Sequence, residues 1–144
     1  MPKKLRKIRP EEFKSLTDQN GRKLEVFTHG GRETPAPRSM PSNIVVLGRH
    51  FSVRYHTRIY FTRRAKDRLN GVVLFDNRTI FIDPDNSIHA MRQTLFHEIL
   101  HIYIKNAKIE GLSHDQEEKL CDMIGWGVYD LLQNNVSLAL SCKE

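Results

Sequence analysis

Between Thr94 and Ile104 the chain reads TLFHEILHIYI, a stretch whose only charged residue is Glu98. So apolar a run packs as a buried helix, where a carboxylate and two imidazoles are costly to desolvate unless each finds a partner. His97 and His101 are four apart and therefore stack on one helical face, presenting two ring nitrogens to a single point. Glu98 lies about 100° around the helix from His97, close enough to reach a water at that point without ligating there. The pattern implies a metal. Two neutral nitrogens hold Zn²⁺ and a neighbouring carboxylate handles its water, which is the inner coordination shell of a metal-dependent hydrolase.

The third ligand decides the class. A metzincin continues H-x-x-G-x-x-H, but Ile104 and Ala107 stand where its glycine and third histidine belong. Further on, LSHDQEEKLCD carries Glu118 and Asp122 in an E-x-x-x-D spacing that places both on one face of a second helix. Glu118 can ligate while Asp122 accepts the outer N–H of a ligand histidine, fixing its tautomer and raising its basicity. HExxH completed by a glutamate on the next helix resembles the gluzincin arrangement. His114 is the competing third ligand, and its use would resemble the SprT-type proteases instead. The plainer alternative for Glu117 and Glu118 together is an ordinary solvated helix face.

The rest of the chain bounds the reading. At 144 residues it is long enough for one domain with a real core. Residues 1–71 hold 17 Lys/Arg against 6 Asp/Glu, and residues 72–144 hold 6 against 11. A basic half of this kind suits either a solvated segment or a surface facing nucleic acid. Cys121 and Cys142 are too few for a disulfide framework, and Cys121 reads as a small apolar side chain packed beside Glu118. The basic start MPKKLRKIRPEEF lacks the apolar core of a secretory signal, and no apolar stretch reaches membrane-spanning length. A reduced, cytoplasmic protein is the expectation.

Residues 1–42 combine KKLRKIR, Gly30-Gly31 and the proline-rich TPAPRSMP, and are expected to be poorly ordered. Structure is expected to begin at Asn43, with NIVVL and HFSVRY as a hairpin turning at Gly48-Arg49. Residues Arg63 to Leu69 read as a helical turn. GVVLF and RTIFI form a second hairpin around a two-residue Asp76-Asn77 connection. Ser87 or Asn86 caps the HEILH helix, and Ser113 with Gln116 has capping-box spacing for the last one. That helix repeats apolar residues at Leu120, Ile124, Val128 and Leu131, ends near Asn134-Asn135, and leaves 138–144 as a tail.

The run from about Asn43 to Asn135 resembles the small metallopeptidase-like proteins of the ImmA/IrrE type, including short forms of phages and mobile elements. The residues that carry the likeness are RTIFIDP, RQTLFHEILH and EEKLCD. It departs from them in having MIGWGVYDLL after the third ligand and no helix-turn-helix attached. The resemblance implies an α+β, minimal zincin-like domain over 43–137, with a small, mostly antiparallel sheet packed on the HExxH helix and a C-terminal ligand-bearing helix. It also implies a zinc peptidase in which His97, His101 and Glu118 bind the metal, Glu98 is the general base, and the substrate is a protein or peptide. Asp122 supports a ligand histidine, and Tyr129, His114 and Tyr103 are candidates to stabilise an oxyanion. The rival expectation is a zinc-stabilised binding module that uses its basic half on nucleic acid.

Overall fold

Val46 pairs with Arg49 across a two-residue turn at Leu47 and Gly48, whose φ values are both positive, 51° and 74°. Positive φ at both central positions matches the twist of the flanking strands, and glycine adopts it without strain. The turn therefore falls one residue earlier than the expected Gly48-Arg49. The computed structural model describes residues 31–60 and 68–143 in full; before residue 31 it describes only the backbone of four short strands. These are β1 (Leu5–Lys7), β2 (Leu16–Thr17), β3 (Lys23–Leu24) and β4 (Phe27–His29). Then follow β5 (Glu33–Thr34), β6 (Asn43–Val46), β7 (Arg49–His56), β8 (Ile59–Tyr60), β9 (Arg68–Leu69), β10 (Gly71–Leu74) and β11 (Thr79–Ile82). The helices are α1 (Ile88–Asn106), α2 (His114–Asn134) and α3 (Val136–Ser141).

The architecture is α+β, a mixed sheet with three helices. The main sheet runs β10-β11-β7-β5, and β6 shares with β5 the edge of β7 that β11 leaves open. β11 is antiparallel to β10 but parallel to β7, with Ile80 opposite Val53. All four residues of β11 are buried, as expected of a strand covered on both edges and both faces. β10 and β11 are joined by residues 75–78, with Arg78 at φ 49°, so the connection is four residues long and not the two-residue turn expected. A second sheet orders β1-β4-β8-β9, and β2 pairs with β3.

Ordered structure begins before Asn43. β5 pairs with the end of β7, Met40 joins the core, and the Tyr55 hydroxyl donates to the Pro41 carbonyl. Backbone pairing and one apolar anchor hold this segment, so it needs none of the sustained apolar period whose absence suggested disorder. Apart from the four strands, the expectation for residues 1–30 lies outside the described residues. So does most of the helical turn expected from Arg63; Arg68–Leu69 is strand β9. The expected tail from residue 138 falls largely within α3.

Ser87 caps α1 through its Oγ, which accepts from the Ala90 amide at 3.1 Å. Met91, Leu95, Glu98 and Ile102 form the buried stripe of α1, and the three apolar members join Phe51, Val53, Tyr55, Val73, Ile80 and Ile82 in one core. Gly71 lets β10 lie on this helix, because a Cβ there would come within 2.5 Å of the Thr94 methyl. α2 starts with a complete capping box between Ser113 and Gln116. Its buried residues are Cys121, Gly125 and Tyr129, and the expected core stripe faces elsewhere: Ile124, Val128 and Leu131 are exposed. Small side chains at 121 and 125 permit the closest approach to α1, and that packing overrides the apolar period. No helix among the described residues is long and apolar enough to cross a membrane.

The junction into α1 is held by Asp83, which is fully buried and accepts from Arg68 Nη2 at 2.7 Å, from Arg68 Nε at 3.1 Å and from the Asp85 amide at 2.9 Å. Removing the cation would leave a buried carboxylate with one donor. Arg68→Ala should therefore destabilise the fold by about 2 kcal/mol, below the usual 3–5 for a broken buried pair because the guanidinium is partly in water. Asp83→Asn should cost less. Urea denaturation of the two variants checks the order.

Candidate metal centre

The geometry of the centre follows from how closely α1 and α2 approach. They run antiparallel, so that Tyr129 near the end of α2 meets His89 at the start of α1 while Glu117 and Glu118 meet His101. At Gly125 a Cβ would sit 3.0 Å from the His97 amide nitrogen and 3.1 Å from the Phe96 carbonyl carbon. Position 125 is therefore pressed against the backbone of the residue that carries the first imidazole.

His97 Nε2 and His101 Nε2 lie 3.1 Å apart, and each is 3.1 Å from an oxygen of Glu118. The two nitrogens face one carboxylate, each meeting a different oxygen of it, and their separation is close to the roughly 3.3 Å between ligand atoms of a tetrahedral ion with bonds of about 2 Å. The opposite ring nitrogens point outward to carboxylates: His97 Nδ1 to Asp122 Oδ1 at 2.6 Å, and His101 Nδ1 to Glu117 Oε1 at 3.3 Å. An acceptor at Nδ1 holds the proton there and leaves the Nε2 lone pair free for a cation. The two histidines could hold a metal ion together with Cys121, and Glu118 faces the same point.

The electrostatics run the same way. Burial works against the charged form of His97, yet the hydrogen bond to Glu118 and the charge of Glu98 raise its pKa overall. For His101 burial is again opposed, here by hydrogen bonds to Cys121 and Glu118, and its pKa rises to about 12. Burial alone would raise the Glu118 pKa, but hydrogen bonds to His101 and His97 lower it well below the usual carboxylate range. The cluster is thus a well for positive charge. Glu98 differs. It is only 6% exposed, burial raises its pKa, and the backbone of Val73 in β10 hydrogen-bonds it from the sheet side.

The structure brings together His97, His101, Glu118 and Asp122, and it places Glu98 on the sheet-facing side of the same helical turn. His114 is exposed, and among the described residues no hydrogen bond or ion pair joins it to the cluster. Tyr129 is not at the centre: its hydroxyl lies 2.7 Å from His89 Nδ1 and its ring tilts against Phe96. Two members were missed in the sequence. Glu117, taken for a solvated residue, braces His101. Cys121, taken for a packing residue, brings its sulfur into a group in which the ligand atoms of His97, His101 and Cys121 all lie within 4.8 Å of one another. The available signal was their spacing: 117, 118, 121 and 122 cover the width of one helical face.

Two outcomes follow. Helix propensity alone would make Gly125→Ala stabilising by about 1 kcal/mol. Because its Cβ meets backbone, the same change should instead destabilise by roughly 1–3 kcal/mol and weaken metal binding; Gly127→Ala, where a Cβ meets nothing, is the stabilising control. Second, Glu118→Gln should weaken zinc binding far more than His114→Ala, with Asp122→Asn costing about 10- to 100-fold. Calorimetric zinc titration ranks the variants, and loss of the metal in His114→Ala with retention in Glu118→Gln would reverse the assignment.

Compared with protein-family models, with curated proteins and with solved structures, the chain gives no match, so its function is argued from this geometry.

Proposed function

We propose that this chain is a zinc-dependent peptidase of the gluzincin, ImmA/IrrE-like kind, with His97, His101 and Glu118 as ligands and Glu98 as general base. The observation that carries it is the orientation of both imidazoles: carboxylates at their Nδ1 atoms turn both Nε2 lone pairs onto the point that Glu118 also faces. Zinc there would supply Lewis acidity to a scissile carbonyl and bring the pKa of a water toward roughly 7. Glu98 takes the proton of the attacking water and passes it to the leaving amine. A carboxyl whose pKa is raised by burial is better matched to that shuttle near neutral pH than an exposed one. β10 ends the main sheet, and the Val73 hydrogen bond sets that strand beside Glu98, which favours an extended peptide lying along it.

One observation favours a different reading. If Cys121 joined His97, His101 and Glu118, four protein donors would close the coordination sphere and the zinc would stabilise a binding module without catalysis. Cobalt substitution separates the two. A thiolate-to-cobalt charge-transfer band that disappears in Cys121→Ser marks the closed site, and its absence marks the open one.

For the peptidase, Glu98→Gln should keep the metal and the fold while lowering hydrolysis at least 10²-fold, because glutamine cannot accept the proton. The readout is the set of new protein N-termini in cells expressing either form. Identical sets would remove the peptidase reading.

A further inference from the structure

The outer side of α2, turned away from α1, is apolar at its middle and uncovered by the described residues. Met123 is 66% exposed and Trp126 46%, and Ile124, Val128 and Leu131 are exposed beside them. Val136, Leu138 and Leu140 of α3 are exposed as well. Met123 and Trp126, on the side turned away from α1, each bare on the order of 100 Å² of mostly apolar surface next to one another.

Charge says what covers it. Lys119, Met123, Trp126 and Asp130 follow one another at spacings of four, three and four, so they form one strip along the helix. The strip carries a cation at its N-terminal end, an anion at its C-terminal end and apolar side chains between. Lys119 is the only Lys or Arg between His114 and Asn134. Asp130 is exposed, and the Asn134 side-chain amide donates to its carboxylate at 2.9 Å. Such a strip complements itself when reversed. About a two-fold axis between Met123 and Trp126, Lys119 meets the partner's Asp130 and Met123 meets the partner's Trp126, each contact occurring twice. A parallel pairing would instead set like charges against each other.

We propose that a second copy of this chain docks antiparallel on the outer face of α2, forming a two-fold symmetric dimer. Glu118, Cys121 and Gly125 face α1 on the other side of the helix, so pairing leaves the metal centre uncovered and does not depend on how that centre is read.

The test uses the full chain and its own reporter, since Trp126 is the only tryptophan. Sedimentation equilibrium should show a dimer, with Trp126 emission shifting to the blue as concentration rises to about 100 µM, a range that captures micromolar affinity. Lys119→Glu and Asp130→Lys should each weaken the dimer by about 10-fold, because symmetry doubles every like-charge contact, and the double variant should recover most of the loss. A monomer throughout that range overturns the proposal, as does a dimer indifferent to the charge swap. A monomer whose Trp126 is already shielded overturns it too, since other residues of the same chain would then cover the face.

Discussion

The rest of the structure depends on the close approach of α1 and α2 at Gly125. A glycine there lets the backbone of α2 lie against the backbone of Phe96 and His97. Within about two turns before that contact on α2, the short reach of glutamate and aspartate side chains is enough to meet both imidazoles. With a larger residue the helices would separate by the width of a methyl group or more, and 2.6–3.3 Å contacts from Glu117, Glu118 and Asp122 to the two histidines would be lost together. Close packing transmits such a shift instead of absorbing it.

The sheet supplies the other half of the constraint. α1 is pressed between two partners and gives each a different stripe. Met91, Leu95 and Ile102 enter the sheet core, and Glu98 goes with them, while His97 and His101 turn about a quarter of a circle away toward α2. Glu98 and the two histidines thus sit in different surroundings although they are neighbours in sequence. Glu98 lies in an apolar layer that raises its pKa, and Glu118 lies among imidazoles that lower its own.

α2 shows how far a hydrophobic period can mislead. Leu120, Ile124, Val128 and Leu131 repeat as a core stripe should, and a single-sequence reading turns them inward. Three of the four are exposed, because the helix rotates to bring its smallest residues and its carboxylates onto α1. Histidine–carboxylate contacts and a glycine notch outweigh the apolar stripe. The stripe then remains as surface.

Legible in the sequence alone were the local matters: both helix caps at Ser87 and Ser113, the first hairpin, and two helical pairs, His97 with His101 and Glu118 with Asp122. Each is written in residues no more than a few positions apart, where helical or strand spacing alone dictates who faces whom. The fold alone set the meeting of those two pairs, the parallel pairing of β11 with β7, the place of Met40 in the core, the bracing of His101 by Glu117 and the nearness of Cys121. Those depend on the rotation and separation of elements distant in the chain. That geometry is set by the volume at contacts such as Gly71 on Thr94 and Gly125 on His97, which no period within a single segment encodes.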